Sequence, residues 1–387
     1  MSAHPPPATP GAPATAPAHA PQSAAAELCM IGGLGFGLLL GAGAWAGVPA
    51  AREAAAGLTV VDGKWAAAFE KKLDAEAPHR DLAMALWGAV AYFGFGDGRD
   101  GVVIGENNTL FTDEELRLYP DELANEAETL RLVRKTQALL AAQNIKLVVA
   151  LIPSKARILT DQLGTPWPDH AAHRYARALG DLQAAGVVAP DLHAALAEAA
   201  AQGVPVYLRT DTHWSPAGAQ VVAEAIAAEI KAKALLPAAG SAQFSRTEDP
   251  EIEHRGDLLK YVPLGMWAAG GPPPDRFRPP RVSQTSGGGG GLLDEVSIPV
   301  ALVGTSYSAN PLFGFAGALQ VALGADVLNG AQEGQGPIPP MARYLGDASL
   351  RESPPQVVIW ELPERYLPRA DAHATLPPPL GDEEPTR

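Results

Sequence analysis

The chain has a single cysteine, Cys29, in 387 residues. This excludes a disulfide framework and a cysteine-based metal site. Cys29 also lacks the small preceding residues of a lipoprotein anchor. Glu27 and Leu28 stand there instead, so it reads as one more apolar residue of its segment. Positive charge is scarce: 29 Lys and Arg against 43 Asp and Glu leave a formal net charge of -14. With no Lys/Arg-rich stretch either, a nucleic-acid partner is excluded. A phosphate loop is missing too, because the glycine run within 283–291 is not followed by Lys and Ser/Thr opening a helix. No internal repeat is visible, and neither a cofactor nor a metal is called for.

Pro and Gly are plentiful but clustered, which marks tails and loops rather than a disordered whole. Residues 1–27 are mostly Ala, Pro and Ser and are expected to be a disordered tail. Residues 28–48 then run without a charge through Ile31, Leu34, Phe36, Leu38, Leu39, Leu40 and Trp45. A membrane span needs about 20 such residues, so the run is expected to be a transmembrane signal anchor. Two alternatives stay open: a cleaved signal peptide, since Ala44-Trp45-Ala46 resembles an A-x-A site, and a glycine-rich buried helix. Residues 49–100 are expected to form a helical stalk, 101–368 the main domain, and 369–387 a frayed Pro-rich tail.

Within the main domain strands and helices alternate. Val102–Ile104 and Leu110-Phe111 read as an opening strand pair. The spacing then predicts a helix over 121–144, a buried strand over 146–152 ended by Pro153, and a helix over 170–185. Further strands are expected at 187–188, 206–208, 300–303, 327–328 and 357–360, with helices over 192–201, 216–234, 311–323 and 341–345. Continuously apolar strands alternating with helices imply an α/β fold whose parallel sheet is sandwiched by helices. Ligands in such sheets sit beyond the carboxyl ends of the strands. The stretches 270–280 and 283–291 read as loops.

Two motifs fall at such strand ends. In Asp211-Thr212-His213-Trp214-Ser215-Pro216, Ser215 and Pro216 suit the N-cap and first position of a helix. His213 is thereby placed on a strand-to-helix loop, with Asp211 two positions earlier able to fix its tautomer. In Gly304-Thr305-Ser306-Tyr307-Ser308, Gly304 permits a tight turn and Ser306 falls at a helix start. An α/β-hydrolase elbow would need Gly at position 308, where Ser stands. Together the motifs supply a nucleophile, a base and an orienting acid. The bland readings are an N-cap for Ser306 and a turn-capping Asp beside a solvated His.

The two motifs resemble the Ser and Asp/His blocks of SGNH hydrolases in reversed order. That order is similar to the circularly permuted SGNH-like domain of the alginate O-acetyltransferase family (AlgJ/AlgX type). Residues 102–111, Ile152-Pro-Ser-Lys-Ala-Arg157 and Val358-Ile-Trp-Glu-Leu-Pro-Glu-Arg-Tyr366 resemble further parts of it. With no carbohydrate-binding module after Tyr366, the resemblance is to the membrane-anchored form. It implies an SGNH-like fold preceded by one transmembrane helix, with Ser306, His213 and Asp211 catalytic. By chain order the remaining oxyanion and substrate positions fall at Gly330, Gly334, Arg365 and Tyr366. Lys155 and Arg209 read as solvated charges, or as anchors for a sugar carboxylate.

The resemblance further implies acetyl transfer to an exported polysaccharide through an acetyl-serine. It implies a membrane-bound O-acyltransferase as donor, and an inner-membrane location with the domain in the periplasm. A carbohydrate acetylesterase and a non-catalytic scaffold subunit remain as alternatives. An acceptor rich in uronic acids would be repelled by the net charge, so its groove is expected to be locally basic.

Overall fold

Strict alternation of buried side chains along three strands divides the core in two. In the computed structural model, which describes residues 37, 49–76, 80–237, 242–286, 298–372 and 376, four strands form one parallel sheet in the order β3-β10-β8-β9. They are β3 (Lys146–Ile152), β8 (Val300–Val303), β9 (Val327–Asn329) and β10 (Val357–Pro363). Val148, Ala150, Ile152, Val300, Leu302, Val357 and Ile359 face one apolar cluster. Leu147, Val149, Leu151, Ala301, Val303, Val358, Trp360 and Leu362 face the other. A strand whose two faces are both covered is apolar throughout, because successive side chains point in opposite directions.

The helices include α1 (Pro49–Ala55), α2 (Lys64–Glu76), α3 (Arg80–Ala89), α4 (Glu122–Ala141), α5 (Lys155–Ile158), α6 (Arg174–Ala184), α7 (Leu192–Ala201), α8 (Pro216–Ala232), α9 (Ser306–Ala309), α10 (Phe315–Leu323) and α11 (Ile338–Gly346), and those from α4 onward supply the covers of the sheet. Leu192, Val222, Ile226 and Leu319 of α7, α8 and α10 pack on the first face. Leu130, Leu182 and Met341 of α4, α6 and α11 pack on the second. The chain divides into two compact units, 1–84 and 85–387. Within the first, Ala51 and Ala55 of α1 pack on Phe69 of α2, and Trp65 stacks on the Phe69 ring at 4.9 Å.

The layered parallel-sheet expectation holds, with local corrections. Residues 206–208 do not join the sheet. A single antiparallel bridge, Tyr207 to Trp214, folds them back on the Asp211 loop, and residues 187–188 touch β3 through one bridge to Val148. The 311–323 helix is interrupted by Gly314 at φ 68, where a Cβ would lie 2.2 Å from Pro280. The stretches read as loops contain β6 (Asp275–Phe277) and β7 (Pro280–Ser286). These pair antiparallel with β5 (Ile252–His254) and β4 (Gln243–Glu248), while β1 (Val102–Ile104) pairs with β2 (Leu110–Thr112). The β1–β2 pair is as expected, whereas the largely polar sequences of β4 to β7 leave little alternation to read. Among the described residues no helix is long and apolar enough to cross a membrane. The 28–48 run lies, Gly37 apart, outside the described residues, as do the tails 1–27 and 377–387.

Candidate active site

The site lies at the carboxyl end of β8. The strand stops at Val303, and Gly304 turns the chain over Glu361 of β10. A Cβ at Gly304 would meet Glu361 Oε2 at 2.4 Å, so only glycine fits. Glu361 is fully buried beneath the turn. It accepts from the Thr305 amide at 2.7 Å, the Thr305 hydroxyl at 3.0 Å and the Ser308 hydroxyl at 3.1 Å. Burial pushes its carboxyl up from the ordinary range, with these hydrogen bonds opposing. Thr305, not Ser306, caps α9 by accepting from the Tyr307 amide. The cap reading of Ser306 is therefore displaced by one residue, and the Ser306 hydroxyl is left for other work.

Ser306 Oγ lies 2.7 Å from His213 Nε2, and His213 Nδ1 lies 2.6 Å from Asp211 Oδ1. The structure thus brings together the three residues singled out from the two motifs. The Asp211 loop is built as its sequence suggests. Ser215 accepts from the amides of Ala217 and Gly218 at 3.2 and 3.1 Å, with Pro216 opening α8. The His213 ring packs against Tyr307 and Phe313, with centroids at 4.7 and 4.9 Å.

Asp211 has more partners than the motif discloses. Oδ1 also accepts the His213 amide at 2.9 Å. Oδ2 accepts from the Asp257 amide at 3.1 Å and meets His254 Nε2 at 2.8 Å. Burial alone would raise the Asp211 carboxyl, but the hydrogen bonds from His213 and His254 outweigh it and hold it well below the usual carboxylate range. The same contact raises His254 above its ordinary value, against a smaller effect of burial. An Asp211 anion bonded to Nδ1–H leaves Nε2 as the acceptor for the Ser306 hydroxyl.

Three more groups fix this loop, Asp275 and Lys155 buried and Asp257 partly so. Asp257 accepts from the Thr212 amide and hydroxyl at 2.8 and 2.7 Å, and Asp275 from the amides of Arg209 and Thr210 at 2.7 and 2.9 Å. Lys155 is 1% exposed, which corrects its reading as a solvated charge or sugar anchor. Its ammonium donates to the carbonyls of Leu110, Arg209 and Asp211 at 2.6, 2.9 and 3.0 Å. Burial lowers its pKa to about 8. Arg209 donates to the Pro273 carbonyl at 3.1 Å.

The other expected positions fare differently. The Gly330 amide is engaged with the Leu302 carbonyl at 2.8 Å, continuing the sheet ladder, so it is not an oxyanion donor. Gly334 sits in a turn at φ 73 with open space around it and takes no part in the hydrogen bonds of Ser306, His213 and Asp211. Arg365 is buried behind the nucleophile. It approaches the Tyr307 hydroxyl at 3.4 Å and stacks over the rings of Tyr307 and Tyr366. Tyr366 is partly exposed, with its ring covered by Arg365 and Arg369 and edged by Gly336. The Ser306 amide, first in α9, has no acceptor within the helix.

Comparison with known proteins follows the same lines. A family model described as SGNH hydrolase-like domain, acetyltransferase AlgX, matches residues 102–364. The chain is 43% identical over 319 residues to a probable alginate O-acetylase AlgJ of Azotobacter vinelandii, covering 80% of this chain and 81% of that one. It is 42% identical over 348 residues to the probable alginate O-acetylase AlgJ of Pseudomonas aeruginosa, covering 86% and 88%. The solved O-acetyltransferase domain of Pseudomonas putida AlgJ superposes with a TM-score of 0.64 at 40% identity, covering 70% of this chain and 93% of that domain. By sequence and by fold, the chain belongs to the SGNH hydrolase-like AlgX acetyltransferase family.

Proposed function

We propose that the chain is an O-acetyltransferase that carries an acetyl group on Ser306 and passes it to a hydroxyl of an exported polysaccharide, alginate or a similar exopolysaccharide. The observation that carries this reading is the unbroken line from Ser306 through His213 to Asp211 at the end of β8. In the first half-reaction Ser306 Oγ bonds to the acetyl carbonyl carbon while His213 Nε2 takes its proton. The tetrahedral oxyanion is met by the Ser306 amide. Collapse expels the donor's leaving group, which takes the proton from His213. In the second half-reaction a sugar hydroxyl attacks acetyl-Ser306, gives its proton to His213, and Oγ leaves and is reprotonated. Asp211 stabilises the imidazolium in both halves without itself being protonated.

The same reading places residues 28–48 as an inner-membrane anchor, the catalytic domain in the periplasm, and a membrane-bound O-acyltransferase as the source of acetyl groups. Support comes from the uncharged length of that run. Tethering would keep Ser306 at high effective concentration near its donor.

The test is incubation of the full chain with an activated acetyl ester, with and without alginate oligosaccharide. Acetylated oligosaccharide formed in preference to free acetate supports transfer. Acetate release that ignores the oligosaccharide identifies an esterase. No turnover and no acylated serine identifies an assembly subunit.

A further inference from the structure

Residues 82–96 form a second uncharged run, bounded by Arg80 and Asp81 before it and by Asp97, Arg99 and Asp100 after it. They make up most of α3 and the wider helical turn Val90–Phe95 that continues it. From Ala85 onward, one side of this segment is packed. Gly88 lies against Pro263, Ala85 against Gly265, and Ala89 and Tyr92 join Leu258, Val262 and Leu264 in an apolar cluster. Among the described residues nothing covers the other side. Trp87 is 71% exposed, Phe93 53% and Phe95 80%, with Leu86 and Val90 exposed beside them. Met266, 76% exposed, extends the patch from the adjoining Gly265–Gly270 turn. Soluble surfaces rarely leave so contiguous an apolar patch without an occupant.

We infer that this face seats on the lipid surface of a membrane, with Trp87, Phe93 and Phe95 at the level of the headgroups. Two observations favour lipid over a protein partner. Trp and Phe are the side chains that the apolar face of an interfacial segment buries there. The longer uncharged run 28–48, of membrane-spanning length, precedes this segment in the chain, with residues 49–81 between them. The last point rests on reading 28–48 as an anchor. The patch and Ser306 belong to the same compact unit. Seating would therefore set the height and orientation of the site above the bilayer, where a membrane-borne acetyl donor works.

Nitroxide labels test this in the full chain carrying Cys29→Ser, reconstituted into phosphatidylethanolamine/phosphatidylglycerol vesicles. Single labels are placed through Gly37→Cys, Trp87→Cys, Phe95→Cys and, as a control on the exposed face of α8, Glu224→Cys. Collision with oxygen, which concentrates in lipid, is compared with collision with a water-soluble nickel chelate. The inference expects oxygen-favoured collision at 87 and 95, deeper still at 37, and nickel-favoured collision at 224. Labels at 87 and 95 that behave like 224 while 37 is deep would overturn the seating and leave the anchor intact. A label at 37 that behaves like 224 would remove the anchor, and 87 and 95 would then decide the seating by themselves. Labels at 87 and 95 shielded from both reagents would show protein covering the face, which also overturns it.

Discussion

Replacing Asp211 by Asn keeps the shape of the side chain and removes its charge, and the surrounding donors allow the cost to be worked out. The carboxylate receives the His213 Nδ1–H, the His213 amide, the Asp257 amide and His254 Nε2, all within 3.1 Å. An amide has one acceptor oxygen. If that oxygen faces His213, the NH2 faces the Asp257 amide, and a buried donor is left unsatisfied at a cost of about 1–3 kcal/mol. If the NH2 faces His213, the ring must accept at Nδ1. Its proton then sits on Nε2, which can no longer take a proton from Ser306. The second arrangement keeps the Oδ2-side hydrogen bonds, sets the NH2 against the His213 amide instead, and inactivates the base. In the serine-protease template the equivalent change lowers turnover by about ten-thousand-fold, or roughly 5.4 kcal/mol at 1.36 kcal/mol per tenfold. We expect a loss of about 10³ to 10⁴ in the acylation rate, measured by rapid mixing with a chromogenic acetyl ester. The fold should survive, because a loss of about 1–3 kcal/mol falls short of a typical total stability of about 5–15 kcal/mol. An Asp211→Asn enzyme within about threefold of wild type, roughly 0.65 kcal/mol, would refute the assignment of Asp211 to the reaction.

His254→Gln should slow acylation by about ten- to a hundredfold, since a hydrogen bond to a charged group is worth about 1.5–3 kcal/mol. The raised His254 value also predicts pH-dependent stability. Its contribution is fully present below the unfolded value of about 6.5 and is lost as pH rises through the folded value. The melting difference between wild type and His254→Gln should therefore shrink as pH rises past about 6.5, and a difference constant with pH would remove the coupling. Gly304→Ala must push a methyl group against Glu361. It should cost about 1–3 kcal/mol in denaturant unfolding and reduce turnover by shifting Ser306; full activity would show that the turn is not held as described. Lys155→Met removes a donor from the carbonyls of Leu110, Arg209 and Asp211, of which Arg209 keeps the Leu110 amide. It should lower stability by about 2 kcal/mol or more, where a loss under about 0.5 kcal/mol would mark Lys155 as an ordinary surface charge.

The parts of this molecule legible in its sequence are those encoded locally. Strands β3, β8 and β10 announce themselves because a strand covered on both faces has no polar position to hide among. Asp211 and His213 stand two residues apart, and Ser215-Pro216 marks the helix that fixes their loop. What escaped is what the chain assembles across long separations. His254 reaches Asp211 from β5, 43 residues away, and Glu361 supports Thr305 from 56 residues away. Neither lies in a local pattern, although Glu361 within an otherwise apolar strand is a signal that a buried acid has a task. Lys155 misled because a charge following Pro153-Ser154 looks solvated until the fold closes three carbonyls around it. Gly330 misled because chain order places a glycine near the site without disclosing that its amide continues the sheet.

The account rests on Ser306 as the residue that carries the acetyl group. The most direct measurement is mass spectrometry of the full chain quenched during turnover with an acetyl ester, followed by peptide mapping. A single acetyl group on the Ser306 peptide is expected, discharged when alginate oligosaccharide is added, and absent from Ser306→Ala. An acetyl group carried on Ser308 or another residue, or undiminished acylation of Ser306→Ala, would contradict it.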